Sequence, residues 1–175
     1  MAKNLYINPG RAITTNKGGE LMKVLIVEDD PINQEAAKEQ LADHDLIIMK
    51  SFVEFFKTFN DCLGGKPKLD LSSFDAVLTD INLPSPHDRK GVEQAATGFV
   101  VALKAIQARV KYVGIITDAS HHDDAYGKAL DLWIHKPPFK SGGIAIWPEC
   151  YHAGYYKGDR VVKDWARLLS GLISA

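Results

Sequence analysis

The chain has 175 residues, of which 46% are hydrophobic and 25% charged, and its formal net charge is −1. These values are typical of a folded α/β domain with a sizeable core, and they argue against a disordered chain. The near-neutral charge gives no electrostatic basis for binding nucleic acid or an anionic membrane. No apolar run approaches the roughly 18 residues that span a bilayer.

The N-terminus and the cysteines indicate the cellular compartment. The first residues contain no apolar signal-peptide core. The two cysteines, Cys62 and Cys150, lie far apart without the spacing of metal ligands, which predicts reduced, structural thiols. The sequence therefore predicts a cytoplasmic protein.

Residues 1–21 are predicted to be an N-terminal extension to one domain that spans residues 22–175. The extension is rich in Gly, Asn, Thr and Lys and has weak periodicity. Three interpretations remain open: a short extra strand at Leu5–Ile7, a disordered leader, or an upstream stretch before a true start at Met22.

Four elements are predicted between residues 23 and 63. The run KVLIV is typical of a buried strand, and Glu28-Asp29-Asp30 follows it. Asp30 suits a helix cap, and Pro31 suits the first turn of a helix. The predicted elements are a strand at Lys23–Val27, a helix from Pro31 to about His44, a strand at Leu46–Met49, and a helix at Phe52–Leu63 with a core-facing stripe of Phe.

The stretch FDAVLTDINLP, at Phe74–Pro84, is central to the predicted fold. Its short apolar run, Ala76 to Leu78, predicts a strand buried on both faces of a parallel sheet. Asp80 lies where this strand becomes a loop. Ligands of open α/β sheets bind at the carboxyl ends of strands, so Asp80 is either a turn-forming residue or a nucleophile or metal ligand.

The second half of the chain contains two enlarged loops, at about 84–97 and 138–158. The predicted elements there are a helix from about Gly98 to Val110, a strand at Tyr112–Thr117, a short helix from His121 through Leu130, a fifth strand at Leu132–His135 that ends in Lys136, a small additional strand at Ile144–Trp147, and a last helix from about Asp159 to Ile173. Apolar residues at helical spacing, among them Val161 and Trp165, indicate the inner face of that last helix.

The alternation of five strands with five helices predicts a doubly wound α/β fold. We expect a five-stranded parallel sheet in the flavodoxin-like order 2-1-3-4-5, with helices on both faces. In this order the first and third strands flank the topological switch point, so Glu28, Asp29 and Asp80 would share one crevice.

Three carboxylates in one crevice repel one another. At an effective dielectric constant of about 20, each pair about 4 Å apart costs about 4 kcal/mol, so the cluster requires protonation or a cation. Mg²⁺ is the predicted cation, since it accepts one or two carboxylates together with waters and phosphate oxygens. Thr117 would add a hydroxyl group and Lys136 a positive charge, and together these groups suit phosphoryl transfer onto Asp80.

Four motifs in order resemble the receiver domain of bacterial two-component response regulators. They are VLIVEDD, FDAVLTDINLP, the strand that ends in Thr117, and the sequence WIHKP at 133–137. The resemblance implies that Asp80 is the phosphoacceptor, and that Glu28, Asp29, Asp80 and the backbone carbonyl of Asn82 bind Mg²⁺. It also implies that Thr117 and Lys136 contact the phosphoryl group, and that Thr117 and Trp133 are the switch residues.

The same resemblance implies partners and an activity class. A histidine kinase or a phosphotransfer protein would donate the phosphoryl group, and a downstream protein would read the switch. The domain would be a regulatory phosphoprotein that catalyses only its own phosphorylation and dephosphorylation. No effector module is expected after the last helix, which predicts a stand-alone receiver that acts by protein contacts; homodimerisation stays open.

Departures from the family pattern leave two alternatives. Asp118 follows Thr117 where the family prefers a small residue, and both enlarged loops lie at the functional edge or output face. A degenerate receiver that only docks a partner is the first alternative. The second, a phosphatase resembling the haloacid dehalogenase superfamily, is opposed by Asn82, because those enzymes place a second Asp there.

Overall fold

The structure is a computed structural model, and it describes residues 20–59, 67–84, 96–117, 137–150, 154–157 and 160–175. The strands are β1 Lys23–Val27, β2 Asp45–Met49, β3 Ala76–Asp80, β4 Tyr112–Thr117, β5 Phe139–Ser141, β6 Ile144–Cys150, β7 Gly154–Lys157 and β8 Arg160–Lys163. The α-helices are α1 Pro31–Gln40, α2 Phe52–Phe59, α3 Gly98–Gln107 and α4 Trp165–Ile173, and a short 3-10 helix lies at Leu71–Ser73. Within these ranges, no helix has the length and apolar character needed to cross a bilayer.

Six strands form the main sheet in the order β2-β1-β3-β4-β6-β5. The first five strands in this order are parallel to one another, and β5 pairs antiparallel with β6. The turn between β5 and β6 uses Gly142 and Gly143, whose φ angles of 57° and 83° favour glycine. The predicted α/β class and the parallel order 2-1-3-4-5 are therefore confirmed.

The strand in the fifth parallel position differs from the predicted one. Ile144–Cys150 pairs with β4 along its length, with Tyr112 opposite Ala145 and Thr117 opposite Cys150. The sequence pattern instead predicts Leu132–His135 in this position and Ile144–Trp147 as only a small additional strand. Residues 131–136 lie outside the described residues, as does the predicted helix from His121 through Leu130. The assignment failed because two short apolar runs compete, and local pattern does not decide which of them pairs with β4.

The last helix begins later than predicted. It starts at Trp165, and the side chain of Asp164 caps it by accepting a hydrogen bond from the backbone N–H of Arg167 at 3.0 Å. The preceding residues form β8, in which Val161 is 56% exposed and Val162 is 2% exposed. This alternation is the pattern of a strand, so the i, i+4 spacing of Val161 and Trp165 was a misleading signal of helix.

Two hydrophobic layers cover the sheet, one on each face. On one face, α2 and α3 contribute Phe55, Val101, Ala102 and Ala105; on the other, α1 and α4 contribute Ala36, Ala37, Trp165, Leu168, Leu169 and Leu172. Helices therefore lie on both faces, as predicted. The phenylalanine stripe of α2 is largely core, with Phe55 fully buried, although Phe56 is 37% exposed.

Candidate functional site

Three acidic residues meet at the carboxyl ends of β1 and β3. These strands are hydrogen-bonded neighbours with Val27 opposite Thr79, so the residues that follow them, Glu28 and Asp80, lie side by side. One carboxylate oxygen from each of Glu28, Asp29 and Asp80 lies within 4.8 Å of the other two. Glu28 is 0% exposed and Asp80 is 4% exposed. The predicted convergence of these residues at one crevice is therefore observed.

The loop after β1 is held in place by its own polar groups and by helix α1. The backbone N–H of Asp30 donates to Oε1 of Glu28 at 3.0 Å, and Nε2 of Gln34 donates to the backbone carbonyl of Glu28 at 2.8 Å. Oδ1 of Asp30 accepts from the backbone N–H of Ile32 at 2.8 Å, which caps α1. The sequence EDDP thus ends the strand, presents the acids and starts the helix within four residues.

Asp80 is held by its backbone neighbours and by the start of α3. Its Oδ1 accepts from the backbone N–H of Ile81 at 2.7 Å. The backbone N–H of Gly98 donates to the carbonyl of Ile81 at 2.9 Å. A Cβ atom at position 98 would lie 1.8 Å from the carbonyl oxygen of Asp80, so only glycine allows this approach. Helix α3 therefore begins directly against the backbone of Asp80.

A buried lysine, Lys163, lies between two of the acids. Its Nζ is 2.7 Å from Oε2 of Glu28 and 3.1 Å from Oδ1 of Asp80, and the residue is 2% exposed. Lys163 is the last residue of β8, directly before the capping Asp164. The sequence pattern does not identify this residue as part of the site, because Lys163 falls within the predicted last helix. A usable signal was present: two β-branched residues, then Lys, then a helix-capping Asp.

Burial and repulsion from Asp80 raise the pKa values of Glu28 and Asp29. Burial raises the pKa of Glu28 from 4.5 to about 7; Lys163 opposes this shift and Asp80 adds to it. The pKa of Asp29 is also raised, first by burial and then by Asp80. With all groups ionised, three carboxylates (−3) and one ammonium (+1) give a net charge of −2.

The donor set suits a hard divalent cation. Carboxylate oxygens are the ligands that Mg²⁺ accepts, and a charge of +2 would balance the net charge of the cluster. Glu28, Asp29 and Asp80 would provide these oxygens. A magnesium ion therefore fits the residues present.

The remaining predicted site residues divide into two groups. Thr117 ends β4, is 5% exposed, and follows Ile116, the residue opposite Asp80, so it lies at the same sheet edge. Asn82 is half-buried in the loop two residues after Asp80. Trp133, Lys136 and Asp118 lie outside the described residues, and their predicted roles stay predictions.

Comparisons with known proteins give structural neighbours only. No family model matches the chain, and no curated protein matches it. Among solved structures, the chain is similar to a response regulator receiver domain protein from Clostridium thermocellum (17% identity, TM-score 0.44, covering 88% of this chain and 95% of that one). It is also similar to a CheY-like receiver domain protein from Methanospirillum hungatei (17% identity, TM-score 0.43, 74% and 82%). A third is the Mn²⁺-bound form of a response regulator (17% identity, TM-score 0.40, 87% and 90%).

Proposed function

We propose that the chain is a phosphoaspartyl signalling switch in which Asp80 accepts a phosphoryl group. The observation that supports this most directly is that Glu28, Asp29, Asp80 and Lys163 meet at one end of the sheet, with Glu28, Asp80 and Lys163 buried. Two acids suited to a metal, a third acid as acceptor, and a lysine are the groups that phosphoryl transfer onto aspartate requires.

In the proposed reaction, an oxygen of Asp80 forms a bond to phosphorus. The bond from phosphorus to the donor atom breaks, and the donor leaves with the bonding electron pair. Bound Mg²⁺ would supply positive charge near the phosphoryl oxygens. Lys163 lies within reach of Asp80 and would pair with the product, the role also predicted for Lys136, which lies outside the described residues.

Phosphorylation would change the electrostatic balance of the crevice. The phosphoryl group adds negative charge and acceptor oxygens at Asp80, to which Thr117 and Lys163 would be drawn. Lys163 lies two residues before the first residue of α4, so its movement would shift the start of that helix. The switch would then be a two-state equilibrium that phosphoryl contacts bias. A histidine kinase or phosphotransfer protein is the proposed donor, and a downstream protein is the proposed reader.

Labelling with a small phosphodonor tests the proposal. Acetyl phosphate with Mg²⁺ should add one phosphoryl group, detected by intact-protein mass spectrometry. Asp80→Asn should abolish the addition, and EDTA should prevent it. Asp43→Asn, at an exposed position, is the matched control and should label like the unmodified chain. Labelling of Asp80→Asn at the unmodified rate would overturn the assignment.

A second candidate function has one specific observation in its favour. Lys163 already bonds both Glu28 and Asp80, so these carboxylates have a cation partner within the chain itself. A degenerate receiver that only docks a partner would need no further chemistry. Mg²⁺ binding without any labelling by acetyl phosphate would favour this second candidate.

A further inference from the structure

Lys163 reaches the acidic cluster from outside the main sheet. Its strand, β8, pairs with β7 in a separate two-stranded sheet, and within the described ranges it has no ladder to the six-stranded sheet. The acids, in contrast, follow strands whose positions the main ladder fixes on both sides. The position of the ammonium group relative to Asp80 therefore depends on other contacts of the Lys163 backbone.

Helix α1 supplies these contacts through two amide side chains. Oδ1 of Asn33 accepts from the backbone N–H of Lys163 at 3.1 Å, and Nε2 of Gln40 donates to its backbone carbonyl at 2.8 Å. Both backbone polar groups of the lysine are thus bonded to side chains of one helix. Asn33 and Gln40 are seven residues apart, about two helical turns, so they lie on the same face of α1.

The same two residues also hold the start of α4. Oε1 of Gln40 accepts from the backbone N–H of Ala166 at 3.0 Å, and the carbonyl of Asn33 accepts from the indole N–H of Trp165 at 3.0 Å. Asn33 is 2% exposed, and Trp165 is fully buried. Gln40 uses both ends of its amide, and the buried Asn33 uses Oδ1 and its backbone carbonyl. Breaking one of the bonds to buried Asn33 would leave an unsatisfied polar group, which resists movement.

We propose that Asn33 and Gln40 are positioning residues that hold the Lys163 ammonium between Glu28 and Asp80, a role that deepens the proposed phosphoryl-acceptor function. We call the two side chains the α1 amide clamp. Through the clamp, α1 determines where the Lys163 ammonium lies. The clamp bonds join Asn33 and Gln40 to the backbone of Lys163 and not to the acidic oxygens. It also connects the site to α4 through the backbone of residues 163–166.

Loosening the clamp should change Mg²⁺ affinity and the labelling rate in opposite directions. A clamped ammonium repels Mg²⁺ from the cluster and attracts a phosphoryl group to it. Loosening the clamp should therefore tighten Mg²⁺ binding, by about threefold to tenfold. The same change should slow labelling of Asp80, by roughly 10-fold to 100-fold, because phosphoryl transfer is sensitive to displacement of a catalytic group. General loosening of the site would weaken both properties together.

The test uses the full chain with two independent clamp variants, Asn33→Ala and Gln40→Leu. Mg²⁺ affinity is measured by calorimetry, and labelling is measured with acetyl phosphate. Gln40 is half-buried, so Gln40→Leu keeps the test available if Asn33→Ala does not fold. Glu35→Gln is the control, because it changes an exposed residue of the same helix that pairs with Lys38.

A double-mutant cycle completes the design. In a Lys163→Met background, neither clamp variant should change Mg²⁺ affinity any further, because the ammonium that the clamp positions is gone. The expected result is tighter Mg²⁺ binding and slower labelling in both clamp variants, with neither change in Glu35→Gln.

Failure of the clamp and failure of the proposed function give different results. If the unmodified chain labels at Asp80 but both clamp variants match it in Mg²⁺ affinity and rate, the clamp is wrong and the function stands. A weakening of Mg²⁺ binding in both variants also overturns the clamp. If the unmodified chain never labels while the clamp variants still bind Mg²⁺ more tightly, the clamp stands and the phosphoryl-acceptor function is wrong.

Discussion

Removal of the buried lysine provides the sharpest test of the electrostatics of the site. In Lys163→Met a flexible apolar side chain of similar length replaces a cation that lies 2.7 Å from Glu28 and 3.1 Å from Asp80. At an effective dielectric constant of about 20, these two contacts correspond to attractions of about 6 and about 5 kcal/mol. The desolvation of the lysine offsets several kcal/mol of this, and breaking a buried ion pair typically costs a net ~3–5 kcal/mol.

The loss of unfolding free energy in Lys163→Met should depend on whether Mg²⁺ is present, so the assay compares two buffers. Urea denaturation is measured at alkaline pH, where Glu28 is ionised, once in EDTA and once with excess Mg²⁺. We expect Lys163→Met to lose about 3–5 kcal/mol of unfolding free energy in EDTA and clearly less with Mg²⁺, because the ion replaces the missing positive charge.

An exposed lysine on α1 provides the control for Lys163→Met. Lys38→Met removes an exposed lysine that is paired with Glu35 on α1, and it should change stability by at most about 0.5 kcal/mol in either buffer. A loss below about 1 kcal/mol for Lys163→Met in EDTA would show that the lysine does not neutralise the cluster. Equal losses in the two buffers would show that Mg²⁺ does not bind beside it.

Three further predictions follow from the same site. Gly98→Ala should lower the unfolding free energy by about 1–3 kcal/mol in urea and slow labelling, because its Cβ would lie 1.8 Å from the Asp80 carbonyl oxygen; unchanged stability would contradict the close approach. Because the pKa of Glu28 is raised, the folded state binds one more proton than the unfolded state between pH 4.5 and about pH 7. The unfolding free energy in EDTA should therefore fall as the pH rises through this window, by ~3 kcal/mol in total. Mg²⁺ affinity should rise over the same window. Urea midpoints across pH measure this fall, and Glu28→Gln should remove most of it; a slope of opposite sign would refute the assignment. Asn82 should orient attacking water and give a fairly short phosphoryl lifetime, so decay of the label after donor removal should slow in Asn82→Ala, and a lifetime of many hours in the unmodified chain would count against this role.

The acidic half of the site was predictable because its causes are local. Glu28, Asp29 and Asp80 each come directly after, or at the end of, a short apolar run that reads as a buried strand. Parallel strands bring their carboxyl ends to one edge of the sheet, so the sequence order of the runs was sufficient to place the acids together. No long-range contact had to be guessed beyond the strand order itself.

The basic half of the site was not predictable in the same way. Lys163 lies on a strand of a separate hairpin, and its approach to Asp80 depends on side chains of α1 that are 123 and 130 residues away in sequence. Its neighbours Val161 and Trp165 have helical spacing, which hid the boundary at Asp164. The fifth strand was misassigned because two short apolar runs compete for one position, and Pro148 within Ile144–Cys150 argues against a strand there.

Pro148 has a consequence for how this sheet can associate with other chains. The backbone N–H of Ala145 donates to the carbonyl of Lys111, toward β4, so the N–H groups of Ile144 and Ile146 point toward β5. The next position with the same outward direction is Pro148, which has no N–H to offer. An incoming strand would therefore meet a missing donor immediately beyond the short hairpin. The missing donor therefore disfavours strand addition along β6 beyond this hairpin.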